Sequence, residues 1–368
     1  MKILIAAGGT GGHIFPGLAI ADALKKKRED CEIVFIGSQV GMEKNIVPQY
    51  GYPLEMMRVR GFERQFSLQI FAALKGLLDG AIDVRRVLKR HQPDLVIGTG
   101  GFTSGQLLLK ASQMGIPTLI HEQNAYPGQA NRILAKYVDR VAISFYEAAR
   151  YFPDEKTFLS GNPVRDAFKN IDRHAARHSL HLNPNQKLIL ISGGSQGAES
   201  INRAVLSLYE RYKGHPTYRF IQLTGEGPYE DVLQAMAEQG ITKESYDNIE
   251  IYNFSNQMET LMGAADLMIT RSGAGTISEI AAVGVPSVLI PFPLAAGNHQ
   301  EFNARVLTDK GAGILLYDQQ LNGETLLKTF DRLFEKEETL SIMRLKTLRL
   351  RKTDADELIA KEALKLLI

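Results

Sequence analysis

A chain of 368 residues is too long for one average hydrophobic core, so two domains are expected. An apolar fraction of 44%, a charged fraction of 23% and a formal charge of +2 are those of an ordinary globular protein, so any basic surface must be local and no nucleic-acid partner is indicated. The single cysteine, Cys31, cannot close an intrachain disulfide, and no stretch reaches the roughly 18–20 apolar residues of a membrane span.

The opening "MKILIAAGG" has too short an apolar run for a signal peptide and leads straight into glycines. A cytoplasmic or membrane-peripheral protein is therefore expected. "KILIAA" (2–7), "EIVFIG" (32–37), "DLVIGT" (94–99), "PTLIHE" (117–122) and "RVAIS" (140–144) read as buried parallel strands. Helix-period segments such as "PGLAIADALKKK" and "GQLLLKASQMG" separate them. The rhythm restarts after residue 163 with "KLILIS" (187–192), "RFIQLT" (219–224), "IEIYN" (249–253), "DLMIT" (266–270) and "PSVLIP" (286–291). Alternating β and α predicts a doubly wound α/β sheet, here built twice. "SGNPVR" (160–165) has the turn chemistry of an interdomain connection, which bounds the domains at 1–163 and 164–340. The last segment, about 341–368, reads as a closing helix that completes the first domain. Two such domains leave a cleft at the C-terminal ends of their strands, where open α/β sheets bind ligands.

Functional residues should then lie in loops that follow strands. "ILIAAGGTGGH" and "LILISGGSQGA" are each a strand, a Gly-Gly-[Thr/Ser]-x-Gly turn and a helix. The first loop fails the dinucleotide fingerprint, because Ile14 stands where the third glycine belongs and Gly37-Ser38 replaces the expected acid. It also fails the P-loop, since Leu18 follows Gly17 in place of lysine. What remains is a set of backbone N–H groups at a helix start, which attracts anions, or else a structural tight turn. "GTGGFTSG" (98–105) and "RSGAGTISE" (271–279) are further loops of this kind, and together they suggest a diphosphate-bearing ligand. Thr276 and Glu279 fit a capping box, or Glu279 accepts both hydroxyls of a ribose. His13 either caps and packs or takes a proton from a hydroxyl nucleophile near neutral pH. "HEQN" (121–124) and "NHQEFNA" (298–304) gather amides suited to sugar hydroxyls and uracil edges. Asp354-x-Asp356 superficially matches a metal-binding pair of acids, but its place in the terminal helix predicts a solvated face, and no metal or cofactor is indicated.

"GGTGGH", "GTGGF.SG", "HEQNAYPG.ANR", "GNPVR", "GGSQGA", "RSGAGT.SE" and "NHQEFNA" resemble, in order and spacing, the peptidoglycan N-acetylglucosaminyltransferases of glycosyltransferase family 28, over residues 1 to about 315. The resemblance implies the glycosyltransferase B (GT-B) fold, two Rossmann-like domains facing across a cleft. It implies transfer of N-acetylglucosamine from UDP-N-acetylglucosamine to undecaprenyl-linked lipid I, giving lipid II. Carried over by motif, Ser195 and its glycine neighbours would hold the donor diphosphate, with Arg165 nearby. Main chain at Phe254 and Ser255 would read uracil, Glu279 would bind the ribose, and Ala274, Gly275 and Thr276 would line its loop. Gln300 and His299 would contact the sugar, approached from the first domain by Thr10, Gly11, Gly12 and Asn124. His13 would be the catalytic base and Glu122 a supporting polar residue. Gly9, Gly100, Gly101, Phe102, Thr103 and Ser104 would form loops for the acceptor diphosphate. The family often has tyrosine at position 102 and glutamine at position 299, so the contacts of Phe102 and His299 depart from its pattern.

The implied reaction is a single inverting displacement, with UDP leaving against loop N–H groups and Arg165. A lipid acceptor requires contact with an anionic membrane surface, at the cytoplasmic face of the plasma membrane, alongside other cell-wall synthesis proteins. Residues 66–91 carry apolar positions near helical period with Lys75, Arg85, Arg86, Lys89 and Arg90, and Arg58, Arg60 and Arg64 lie just upstream. That pattern fits a helix at a bilayer surface or one packed on its own sheet. The alternatives are a UDP-N-acetylglucosamine 2-epimerase, another UDP-sugar glycolipid transferase, a nucleotide-dependent oxidoreductase disfavoured by the failed fingerprint, and a non-catalytic nucleotide-binding module.

Overall fold

The computed structural model describes residues 1–39, 41–57, 83–194, 196–242 and 246–368. Ser195 and most of the 66–91 segment, with Arg58, Arg60, Arg64 and Lys75, lie outside the described residues. The chain divides into two compact units, Met1–Arg165 with Lys352–Ile368, and Asp166–Arg351.

The first unit is a parallel sheet of β1 (Lys2–Ala7), β2 (Glu32–Ser38), β3 (Leu54–Met57), β4 (Leu95–Gly100), β5 (Thr118–Glu122), β6 (Arg140–Ile143) and β7 (Thr157–Leu159), in the order β3-β2-β1-β4-β5-β6-β7. The central strands β1, β2 and β4 have near-continuous apolar interiors because both faces are covered. The period of two then sorts side chains between two cores. Ile3, Ile5 and Ala7 pack with the helices Gly11–Lys27 and Ala355–Lys365, whereas Leu4 and Ala6 pack with Val84, Val87 and Leu88 and with the helix Gly101–Gln113.

The second unit repeats the plan with β8 (Lys187–Ser192), β9 (Tyr218–Leu223), β10 (Ile249–Tyr252), β11 (Leu267–Thr270), β12 (Ser287–Leu289) and β13 (Gly313–Leu315), in the order β10-β9-β8-β11-β12-β13. Ile189, Ile191, Leu267 and Ile269 meet Ile201, Leu208, Leu326 and Phe330 of the covering helices in its core. In both sheets the chain leaves the first strand in one direction and later returns on its other side. The strand order therefore reverses between β1 and β4 and between β8 and β11, and such a reversal is where open α/β sheets bind ligands.

Two expectations about the C-terminal segment change. The helix Glu337–Leu348 belongs to the second unit, because Arg344 Nη2 donates to the Ala265 carbonyl at 2.7 Å and Thr347 Oγ1 to that of Ala312 at 3.0 Å. The return to the first unit thus begins at Lys352, not near residue 341. Asp356 is only 5% exposed, so Asp354-x-Asp356 is not a solvated pair. Asp356 lies three, four and seven residues before Ile359, Ala360 and Ala363, which places it on their buried face.

Candidate active site

At the strand-order reversal of the first unit lie the loop after β1 and the start of the helix after β4. The helix Gly11–Lys27 begins after Thr10 with no side-chain cap and no acidic residue in its first turn. His13 N and Ile14 N both reach the Thr10 carbonyl, at 3.0 and 3.2 Å, so the Gly11 and Gly12 N–H groups have no acceptor within the helix. Such donors at a positive helix end suit an anion. The Gly9 N–H does not join them, because it donates to the Glu43 carboxylate at 3.0 Å.

His13 is half-buried over the neighbouring loop. Gly100 and Gly101 have φ of +117° and +85°, and a Cβ on Gly100 would sit 2.6 Å from the His13 ring. A Cβ on Gly101 would sit 2.6 Å from the Gly8 carbonyl oxygen. Only glycines let these two loops close around the imidazole. His13 Nδ1 lies 3.0 Å from the Gly8 carbonyl. A carbonyl only accepts, so Nδ1 carries the proton and Nε2 carries the lone pair of the neutral ring. Thr99 Oγ1 donates to the His13 carbonyl at 2.7 Å and ties this turn to the end of β4. Thr103 and Ser104 are each 1% exposed, so their hydroxyls are buried and the donors this helix start can offer are main-chain N–H groups.

The end of β5 holds two buried ionisable groups. Glu122 Oε1 accepts from Asn124 N at 2.9 Å and Asn124 Nδ2 at 3.1 Å, while Oε2 accepts from Gly128 N at 3.1 Å and Asn131 Nδ2 at 2.8 Å. Burial pushes this carboxyl above its ordinary range, and the four donors pull the other way. With both oxygens engaged, Glu122 shapes the Asn124–Gly128 loop. His121 is fully buried, with Nδ1 3.1 Å from Gln123 Nε2 and Nε2 3.2 Å from the Gly161 carbonyl. Its proton is therefore on Nε2, the reverse of His13, and burial lowers its pKa to about 4.

At the strand-order reversal of the second unit lie the segment that follows β8, of which Gly193, Gly194 and Gln196 to Ala198 are described, and the loop that follows β11. The helix Ala274–Val283 starts after Gly273 with no side-chain cap and no acid in its first turn, leaving the Ala274, Gly275 and Thr276 N–H groups without helical acceptors. Thr276 is thus the third residue of the helix and Glu279 stands in its second turn. The capping-box reading of Thr276 and Glu279 fails, because the cap position is Gly273. Gln300 Oε1 accepts from Ser272 N at 3.3 Å and Phe292 N at 3.0 Å, which bridges the ends of β11 and β12 and commits the oxygen, so its amide N–H groups are the donors left to a ligand. His299 Nδ1 donates to the Ala296 carbonyl at 2.8 Å, again leaving the lone pair on Nε2. Phe254 is 53% exposed just beyond β10, but its N–H donates to Asn253 Oδ1 at 2.8 Å. Ser255 Oγ accepts from Gln257 N at 3.1 Å, and Arg165 is exposed at the end of the first unit.

Two residues were not singled out from sequence. Arg271 Nη1 donates to the Ile290 and Pro291 carbonyls at 3.2 Å each and pairs with Asp318, while its Nη2 donates to Ser200 at 3.0 Å. It clamps several strand-end loops of the second unit. Glu43 does the corresponding work in the first unit, and the only hint in sequence was an acid among glycines in "GSQVGMEK".

Residues 3–143 match the glycosyltransferase family 28 N-terminal domain, and residues 188–359 match the family's C-terminal domain. A protein of Acetivibrio thermocellus named UDP-N-acetylglucosamine--N-acetylmuramyl-(pentapeptide) pyrophosphoryl-undecaprenol N-acetylglucosamine transferase is 44% identical over 344 residues, covering 93% of this chain and 92% of that one. Among solved structures, MurG of Acinetobacter baumannii superposes with a TM-score of 0.80 at 26% identity, over 99% of both chains. A UDP-GlcNAc 2-epimerase of Neisseria meningitidis superposes with a TM-score of 0.69 over 99% of this chain and 100% of that one, but at 16% identity it shares the fold alone.

Proposed function

The chain belongs to glycosyltransferase family 28, and from that premise we propose that it transfers N-acetylglucosamine from UDP-N-acetylglucosamine to the C4 hydroxyl of the N-acetylmuramyl unit of lipid I, forming lipid II. It is a UDP-N-acetylglucosamine-dependent hexosyltransferase of peptidoglycan synthesis with the GT-B fold. The observation that carries the chemistry is the 3.0 Å contact of His13 Nδ1 with the Gly8 carbonyl, which assigns the proton to Nδ1 and makes Nε2 the basic atom. In the reaction the acceptor oxygen bonds to the anomeric carbon as the bond from that carbon to the β-phosphate oxygen of UDP breaks. The acceptor proton passes to His13 Nε2, and the configuration inverts.

The second unit holds the donor. N–H groups of Ala274, Gly275 and Thr276 and of the Gly193–Ala198 loop stabilise the departing UDP, with Arg165, and Ser195 belongs to the same loop. Glu279 takes the ribose diol, main chain at Phe254 and Ser255 faces uracil, and the Gln300 amide and His299 meet the sugar. In the first unit the Gly11 and Gly12 N–H groups, with Thr10 and Asn124, serve the reacting sugar, and the start of the helix Gly101–Gln113 serves the acceptor diphosphate.

An undecaprenyl-linked acceptor brings the protein to the cytoplasmic face of the membrane as a peripheral enzyme. Among the described residues no helix is long and apolar enough to cross a bilayer. The test is incubation with labelled UDP-N-acetylglucosamine and a lipid I analogue. Label on the lipid is the expected result, and epimer formation without acceptor would establish the isomerase instead.

A further inference from the structure

Glu43 opens the short helix Glu43–Ile46 and is fully buried, at 0% exposure. Its Oε1 accepts from Ser38 N at 2.6 Å and Ser38 Oγ at 2.9 Å, and its Oε2 accepts from Gly9 N at 3.0 Å. Among the described residues no cation pairs with it. The chain keeps room for this acid: a Cβ on Gly37 would lie 2.5 Å from Glu43 Cγ, and one on Gly41 would lie 1.9 Å from Oε2. A buried carboxylate held only by neutral donors is costly, so its placement calls for an account.

The Gly9 N–H that it accepts belongs to the same peptide group as the Gly8 carbonyl, and that carbonyl accepts from His13 Nδ1 at 3.0 Å. Carboxylate, peptide and imidazole form one hydrogen-bonded chain. A peptide is a planar resonance unit, so a negative charge at its N–H pushes electron density toward its oxygen and strengthens the bond accepted there. We propose that Glu43 is a positioning residue for His13, acting through the Gly8–Gly9 peptide to hold the Nδ1–H tautomer and to stabilise the imidazolium that forms when Nε2 takes the acceptor proton. A carboxylate bonded directly to a catalytic histidine does this in serine hydrolases, and here one peptide stands between. The proposal rests on the reading of His13 as the base. Among the described residues His121 of β5 is coupled to His13, and burial keeps it neutral down to about pH 4, so above that pH it places no charge beside the His13 ring.

The test uses the full chain carrying nitrogen-15 histidine, with the His13 signals assigned against His13→Ala. In the wild type, above its titration, His13 must show the Nδ1–H tautomer; an Nε2–H tautomer overturns the proposal without any variant. Glu43→Gln keeps the size and an acceptor oxygen but removes the charge. It should move the His13 titration to lower pH and cut kcat by roughly 10–100-fold with KM for UDP-N-acetylglucosamine unchanged. A folded Glu43→Gln protein with unaltered His13 titration and kcat rejects the role of Glu43 even if His13→Ala is inactive. Near-normal turnover of His13→Ala instead rejects the base, while the spectra still report whether Glu43 sets the ring.

Discussion

A histidine whose Nδ1 donates to a carbonyl keeps its lone pair on Nε2, and this is the arrangement of His13 against Gly8. His121 has the opposite tautomer, is fully buried, and receives Gln123 on the nitrogen that holds its lone pair. The two rings are therefore suited to different work, one to proton transfer and one to packing. His13→Ala should leave UDP affinity unchanged in a calorimetric titration while turnover falls by ~10²–10⁴. His121 makes a separate prediction in stability. Its folded pKa lies at about 4 and its ordinary value at 6.5, so between those values the unfolded chain binds the extra proton. The stability contributed by neutral His121 is complete above the upper value and is lost, by roughly 3 kcal/mol, as pH falls to the lower one. Glu122 works in the other direction, since its raised pKa lets the folded state take a proton first. The measurement is accordingly the difference in denaturant stability between wild type and His121→Gln, which should shrink as pH falls through that window. A constant difference would contradict the assignment.

At a helix start, position within the helix decides what a residue can do. Glu279 stands in the second turn of the helix Ala274–Val283, where it cannot cap the N-terminus that Gly273 opens. Glu279→Ala should therefore weaken UDP binding by at least about tenfold, in keeping with loss of a charged hydrogen-bonding partner. Unchanged UDP affinity by titration would remove it from the ribose. The interior strands were legible because burial on both faces makes them continuous apolar runs. Leu54–Met57, Thr157–Leu159 and Gly313–Leu315 were not, since each is a short edge strand with partly exposed positions. The glycine loops were legible by composition as turns that bring main-chain N–H groups to a helix start. The partner of each N–H was not: the loss of Gly9 from that set follows from an acid 34 residues away.

In the whole molecule each unit has its own hydrophobic core and its own strand-order reversal; the proposed base, His13, belongs to the first unit and the proposed donor loops to the second. Of the basic residues expected at a membrane, Arg86 pairs with Asp83 at 2.8 Å and Arg90 with Glu55 at 2.8 Å, which leaves Arg85 and Lys89 as described cations without a salt bridge. The full chain should still float with vesicles containing anionic lipid and not with purely zwitterionic ones, and ~0.5 M salt should release it. Equal recovery on both vesicle types would exclude an electrostatic contact. Residue order alone determined the two α/β units, the glycine loops at their strand ends and the family, because hydrophobic period and glycine punctuation are local signals. Which atoms those loops offer was decided only by the tertiary structure. The tautomer of His13, the commitment of both Glu122 oxygens and the Glu43 carboxylate behind Gly9 depend on hydrogen bonds between segments brought together by the sheet, and no local pattern encodes their geometry.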